Sequence, residues 1–343
     1  MYMESVYVMY HPRFKSTHYE AGFKWGKMLL KFGKKLDFCP TFKLSEEKYE
    51  FAYQCVEEYT KYFPVILDEI KGIADGNEVP VETLHTILFC MYCFELNNKC
   101  TCFAFSTDNE IIFARNSDFL VSLEKMYMNC IYNLEGSYSF NANTTACVQM
   151  EDGVNEHGLA VGLTFVYPKI RKPGLNSGML IRYALEKCKS TKEVITELHR
   201  LPIASAQTIT IADKEGDIAV VECNPKNIVV IRPDQEEQFV ATANNFNSPK
   251  MQYYRNGDID DWCSDERYQT AYNALKNNKG SYSVEFAQSV LAGKYGFMCQ
   301  YDRKKNADTV WSVIYDLKRK QIWRVEGNPS RKKFKEDIRW RIL

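Results

Sequence analysis

Histidine is scarce in this chain: five among 343 residues (His11, His18, His85, His157, His199), none in a setting that marks it as a base. That weighs against chemistry in which a side-chain imidazole activates the nucleophile. Charge of one sign is missing too. Lys+Arg and Asp+Glu balance at 44 each, which leaves no electrostatic case for nucleic acid or an anionic membrane surface. The basic run Ser330 to Arg341 is interrupted by Glu336 and Asp337 and reads as a solvated terminal face. No apolar stretch approaches the roughly 20 residues that span a bilayer, and Met1–Ser5 lacks the basic and apolar regions of a secretory signal. Repeats, low-complexity tracts and long linkers are absent as well. Cysteine, by contrast, is plentiful at twelve. Cys55, Cys90, Cys188 and Cys223 sit in apolar runs, where a thiol serves as a small buried hydrophobe. Scattered through a large chain, they predict a reducing, cytoplasmic setting rather than a disulfide framework.

Hydrophobic content of 45% with 26% charged residues is that of an ordinary globular protein. Residues 1–95 read as mainly helical. Ser45-Glu46-Glu47 offers a cap and acidic first turn before helical spacing through Tyr59. Pro64 restarts a helix that Asp75-Gly76-Asn77 stops, and a third, apolar on most sides, is predicted over Val81 to Leu96. The period then changes. Strands are predicted at Cys100–Ser106, Ile111–Asn116, Tyr127–Leu134, Thr145–Met150 and Leu159–Val166. After helices at Ser177–Lys187 and Thr191–Leu201 come strands at Ala206–Ala212, Ile218–Cys223, Ile228–Ile231 and Phe239–Thr242. Helices near Glu266–Asn277 and Val284–Leu291 precede a closing hairpin, Thr309–Asp316 with Gln321–Val325. Clustered helices and clustered strands argue for an α+β sandwich, sheet on sheet with helices outside.

Cys100 stands at the first position of a strand, after the polar stretch Asn97-Asn98-Lys99. Four roles compete for it. Most cysteines are plain buried thiols. A zinc site is suggested by Cys90-x-x-Cys93 and Cys100-x-Cys102, but the first pair falls in an apolar helix rather than on a knuckle turn. A Cys/His pair lacks its histidine. The fourth role is that of an N-terminal nucleophile, whose base is the residue's own α-amine; with a model value near ~7.7–8.0, it accepts the thiol proton at neutral pH. Cleavage of the Lys99–Cys100 bond would create that terminus. Arg115 and Asp118 lie at the end of the paired strand, near Cys100. Alternation puts Arg115 and Ser117 on one face, so Asp118 is expected to reach the site only if the chain turns after Ser117. The bland role for the two is a surface ion pair closing a hairpin. The functional one has Asp118 orienting the amine and Arg115 holding the thiolate. Cys102 shares the face of Cys100 and is the rival nucleophile.

Cys100-Thr101 followed by Ala114-Arg115-Asn116-Ser117-Asp118-Phe119 resembles the opening of the N-terminal-nucleophile hydrolases. The specific resemblance is to the penicillin acyltransferase family (acyl-coenzyme A:6-aminopenicillanic acid acyltransferase-like), related to the choloylglycine and penicillin V hydrolases. Glu20 to Gly26 and Pro64 to Gly76 are similar to that family's helical propeptide, a leader the choloylglycine hydrolases lack. Asp152 to Leu163 resembles its glycine-rich hairpin, whose plain role is a turn. Ala243-Asn244-Asn245-Phe246 is similar to an Asn-His-Phe segment, and Ser264-x-x-Arg267 to a motif that braces the catalytic pocket, although Ser264 fits a helix cap equally well. The eighteen-residue interval from nucleophile to aspartate picks out Cys100 with Asp118. Two positions depart from the pattern: Lys99 replaces the usual glycine before the nucleophile, and Thr164 stands where choloylglycine hydrolases carry an oxyanion-hole asparagine.

The resemblance implies a four-layer αββα sandwich of N-terminal-nucleophile type. Residues 1–99 form a helical leader and 100–343 the catalytic domain, together a heterodimer of the chain's own fragments after cleavage at Lys99/Cys100. It assigns Cys100, Asp118, Asn244 and Arg115 as catalytic, with Arg267, Ser264 and Thr164 supporting, and no cofactor or metal. The substrate implied is a small acyl amide or acyl-thioester, with water or an amine as acceptor. The alternatives are a non-catalytic homologue and a cysteine-bound zinc scaffold.

Overall fold

The computed structural model describes residues 11–40, 42–94, 99–233, 237–257 and 259–342. Four helices come first: α1 (His18–Lys31), α2 (Glu46–Tyr62), α3 (Pro64–Asn77) and α4 (Val81–Cys90). A capping box starts α1, with the Thr17 hydroxyl accepting from Glu20 N at 3.2 Å and the Glu20 carboxylate from Thr17 N. Pro64 at the first position of α3 supplies a preset φ where no N–H is needed. Glycine brings α1 and α3 together. A Cβ on Gly22 would lie 2.1 Å from Glu69 O, and one on Gly72 the same distance from Tyr19 O, so only hydrogen lets the backbones meet.

Two sheets follow. One has eight strands in the order β1-β4-β5-β6-β7-β8-β9-β10: Arg13–Ser16, Met128–Leu134, Phe140–Thr144, Asp152–Asn155, Leu159–Phe165, Gln207–Asp213, Ile218–Cys223 and Ile228–Ile231. Of these strands only β1, which precedes the four helices, is parallel to its neighbour β4. The other has six strands in the order β11-β2-β3-β12-β13-β14: Phe239–Thr242, Lys99–Ser106, Ile111–Leu120, Ala307–Asp316, Gln321–Glu326 and Lys335–Glu336. Alternation sorts the side chains. Cys102, Ala104, Phe113, Val313 and Tyr315 point inward and pack on Val154, Ala160, Ala212 and Val220 of the facing sheet. The opposite face, with Phe103, Phe105, Ile112 and Ile314, is covered by α7 (Ser264–Asn277) and α8 (Val284–Leu291). The outer face of the eight-stranded sheet shares a core with α5 (Ser177–Lys187), α6 (Thr191–Arg200) and the helices α1 to α4. The result is the expected α+β, four-layer αββα sandwich.

Three local expectations are corrected. The helix from Val81 stops at Cys90, because Asn176 Nδ2 takes the Leu88 and Met91 carbonyls at 2.7 and 3.0 Å and Gln149 Nε2 takes Leu88 O at 3.0 Å. Those side chains terminate the helix from a distance, and the predicted residues 95–96 lie outside the described ones. Thr145–Met150 is not a strand: the Glu151 carboxylate takes Thr145 N and Oγ1 at 3.0 and 2.7 Å, and Cys147 adopts φ 60°. Finally, β3 continues past Asn116 to Leu120 because β12 pairs beside it, Asp118 opposite Thr309.

Candidate active site

The first strand of the six-stranded sheet carries Lys99, Cys100, Thr101 and Cys102, all fully buried. On its inward face, Cys100 Sγ meets Arg115 Nη2 at 2.7 Å, reached because Cys102 and Arg115 are register partners across β2 and β3. Arg115 is itself buried. Its Nη1 binds Asp152 Oδ2 at 2.8 Å, its Nε donates to Leu163 O at 3.1 Å, and Glu151 Oε2 is 3.5 Å away. Asp152 is held in turn by Asn143, Trp311 and Tyr315, at 2.6, 2.9 and 2.7 Å. Glycine matters here for room rather than for a turn. A Cβ on Gly162 would come 3.1 Å from Arg115 Cδ and 2.7 Å from Phe113 Cζ.

Burial pushes the Cys100 thiol up to about 12, with the Arg115 guanidinium pulling the other way. Cys102, on the same face as expected, is driven higher by burial. Burial thus favours the protonated thiol at Cys100 even beside this fixed cation.

The backbone of Cys100 is gripped on its other side. Its N–H donates to Asn244 Oδ1 at 2.8 Å, and its carbonyl accepts from Arg267 Nη1 at 2.6 Å. Asn244 lies just beyond β11, which pairs with β2 through Thr242 and Cys102. Arg267, fully buried on the first turns of α7, spends every donor: Thr101 Oγ1, Asn244 Oδ1, Asp261 O and Trp262 O take the rest at 2.8–3.0 Å. Two donors therefore fix the Asn244 oxygen, and its Nδ2 is directed to Phe165 O at 2.8 Å.

Asp118 lies opposite Lys99 within β3, so no turn after Ser117 carries it to the site. It faces the α7 side of the sheet, accepting from Thr309 Oγ1 at 2.6 Å and Tyr301 OH at 2.9 Å, with Arg267 Nη1 at 3.8 Å. Burial raises its carboxyl to about 6, although Arg267 opposes this. Ser117 faces inward and donates to Glu151. Neither Arg115 nor Asp118 belongs to a surface ion pair, since both are completely buried.

The supporting residues divide. Thr164, buried in β7, donates to Ala243 O at 2.6 Å and contacts Thr208, so it braces the turn that carries Asn244. Ser264 is not a helix cap: it is the first residue of α7, capped by Cys263 in the left-handed region, and its buried hydroxyl has no hydrogen-bond partner among the described residues. Lys99 is wholly buried, and its Nζ donates to Tyr167 OH at 2.9 Å. Sequence reasoning missed Asp152, Glu151, Tyr301, Thr309, Tyr167 and Trp262. Only Asp152 carried a signal, as an acid opening the glycine-rich hairpin.

Among the described residues, one cluster could gather ligands for a metal ion: His18, Glu69 and Glu186, all buried. A cation already occupies its centre, since Arg182 binds Glu69 Oε2 at 2.7 Å and Glu186 Oε1 at 2.5 Å. No two cysteines form a disulfide among the described residues. No described helix is long and apolar enough to cross a membrane.

No curated protein matches the chain. Solved structures do. Two of conjugated bile acid hydrolase from Clostridium perfringens, a mutant and a variant, each superpose with TM-score 0.50. They share 16% and 15% identity, covering 69% and 71% of this chain and 92% and 98% of theirs. Penicillin V acylase from Agrobacterium tumefaciens gives TM-score 0.47 at 20% identity, over 66% of this chain and 83% of that one. At such identities the likeness speaks for the fold. The profile of the acyl-coenzyme A:6-aminopenicillanic acid acyl-transferase family matches residues 105–331, a span that begins after Cys100 and contains Arg115, Asp118, Thr164, Asn244, Ser264 and Arg267. With that match over well more than half its length, the chain belongs to the acyl-coenzyme A:6-aminopenicillanic acid acyl-transferase family.

Proposed function

We propose that the chain cleaves itself before Cys100 and then uses that residue to take an acyl group from a small amide or thioester. The observation that carries the reading is the three-sided hold on one residue: Sγ on Arg115, N–H on Asn244 and carbonyl on Arg267. Any buried cysteine needs partners for its backbone N–H and C=O, but a purely structural one needs no buried guanidinium on its sulfur.

In maturation, Sγ attacks the Lys99 carbonyl carbon. The C–N bond breaks as the C–S bond forms, and the thiol proton ends on the Cys100 nitrogen. Water then splits the thioester, leaving a Lys99 carboxylate and a restored thiol. Asp118, opposite Lys99 in the adjacent strand, is the carboxylate that orients the new amine. In turnover that amine takes the thiol proton, Arg115 stabilises the thiolate, and Sγ attacks the substrate carbonyl. The Asn244 amide group and a backbone N–H receive the oxyanion, for which the Nδ2 tethered to Phe165 O is the side-chain donor. Acyl-Cys100 passes to water in an amidohydrolase or to an amine in an acyltransferase.

Residues 1–99 act as the leader and 100–343 as the catalytic domain. Their pairing through β1 and β4, and through Arg182 with Glu69, supports a fragment pair that stays together after cleavage. Twelve cysteines without a disulfide support a reducing, cytoplasmic setting. The reading is tested by incubating processed protein with acyl-thioesters and N-acyl amides, then weighing the fragment that starts at Cys100. An acyl adduct diverted by added free amine marks a transferase, and one lost only to water a hydrolase. Absence of any Cys100-borne adduct across the set would overturn the reading.

A further inference from the structure

Lys99 is an odd residue to bury beside a scissile bond, and its side chain is housed with care. Its Nζ lies 4.5 Å from the centre of the Tyr167 ring and 5.8 Å from that of Trp262, while donating to the Tyr167 hydroxyl. Both rings are half-buried while Lys99 itself is wholly buried, so the rings of this slot stand between its ammonium and solvent. Asp260 and Asp261, beside Trp262, are the carboxylates whose charge favours an ammonium there; burial and Arg267 act against it, and together they bring Lys99 down to about 8. Arg267 builds one wall by binding the Asp261 and Trp262 carbonyls. Aromatic faces with an acidic rim are the ordinary receptor for an organic cation.

We propose that this slot is the acyl subsite of the mature enzyme, and that the acyl group it takes ends in a protonated amine. The inference rests on the Cys100 reading. In self-cleavage, the carbon that Sγ attacks belongs to Lys99, so the lysyl chain is the first acyl group the nucleophile carries. Substrate acylation forms the same C–S bond from the same sulfur, so once the cut Lys99 end withdraws, with the rest of its fragment still docked, the lysine side chain's place is a path along which an incoming acyl chain can leave the carbonyl. Its closest mimic is a 6-aminohexanoyl group, which places a nitrogen as many bonds from the carbonyl carbon as Lys99 Nζ is. Hydrophobic acyl chains of equal length fill the slot but leave the acidic rim without a cation.

Two measurements test this. Processed protein is mixed with equal concentrations of 6-aminohexanoyl and hexanoyl thioesters, and the adducts on the Cys100 fragment are timed by mass spectrometry. The aminoacyl adduct should form about tenfold faster, and Tyr167→Phe with Asp260→Asn should shrink that ratio toward one. In parallel, processing is timed for Lys99→Arg and Lys99→Met, the cationic variant cleaving about tenfold faster than the neutral one. Equal or reversed ratios in both experiments, with wild type still cleaving and acylating, would overturn the acyl subsite and leave Cys100 as nucleophile. Failure of Cys100 to cleave or acylate at all would overturn the parent reading, and this inference with it.

Discussion

Replacing Arg115 separates its two duties, and the structure says how large each is. Arg115→Met removes the guanidinium bound to Asp152 and lying 3.5 Å from Glu151, both carboxylates fully buried. Asp152 keeps Asn143, Trp311 and Tyr315, and Glu151 keeps Thr145 and Ser117, so their hydrogen bonds largely survive. Losing one partner of such a pair costs about 3–5 kcal/mol of stability. The second effect falls on the thiol. Cys100 already sits at about 12, with Arg115 the first group opposing its burial. An opposite charge at this range is worth about 1–3 pKa units, each a factor of ten in thiolate. Processing should therefore slow by about 10- to 10³-fold beyond any loss of folded protein. Arg115→Lys isolates that effect. It keeps the charge near Asp152, but one ammonium cannot also hold Cys100 Sγ and Leu163 O. Urea unfolding should show most stability retained, while time-resolved intact mass shows slow cleavage. If the lysine variant, equally stable, cleaved at the wild-type rate, Arg115 would be a structural counterion and nothing more.

Three other perturbations give separate checks. Asn244→Asp keeps the acceptor for Cys100 N and Arg267 but loses the Nδ2 donor, so kcat on any accepted substrate should fall about 10²–10³-fold; a change within threefold would remove Asn244 from the oxyanion site. Asp118, raised by burial to about 6, binds a proton in the folded uncleaved chain that it has already lost when unfolded. In a Cys100→Ala background this group's stability is complete below about pH 4 and lost as pH rises through 6, up to about 3 kcal/mol. Urea midpoints for that chain and its Asp118→Asn derivative should diverge accordingly from pH 4 to 7, and parallel curves would contradict the assignment. Gly22→Ala would force a Cβ to 2.1 Å from Glu69 O, so the α1–α3 packing should loosen by about 1–3 kcal/mol or more, read by the same unfolding assay. An unchanged midpoint would show that α1 and α3 shift apart freely.

Much of the scaffold is legible locally. The helices Ser177–Lys187 and Val284–Leu291 and the strand Ile218–Cys223 have the bounds their periodicity predicts. Local reading fails where a distant side chain decides. The helix from Val81 ends at Cys90 because Asn176, 86 positions after that residue, caps it. Asn116-Ser117-Asp118 looks like the polar end of a strand, yet β12, α7 and Tyr301 bury it. The same holds for the site. Cys100, Arg115, Asn244 and Arg267 do converge, as expected. Asp118 converges by facing the α7 layer, not through a turn. Tyr167, Trp262 and Thr309 are unremarkable in sequence, since two connecting segments and one strand far apart in the chain bring them to Lys99 and Asp118.

Self-cleavage is a single covalent event, and intact-mass spectrometry of the purified protein reads it directly. Wild type should give two masses separating at Lys99/Cys100, Cys102→Ala should do the same, and Cys100→Ala should give one full-length mass. A wild-type chain that stays whole while binding one equivalent of zinc, or a Cys100→Ala chain that still divides there, would contradict it.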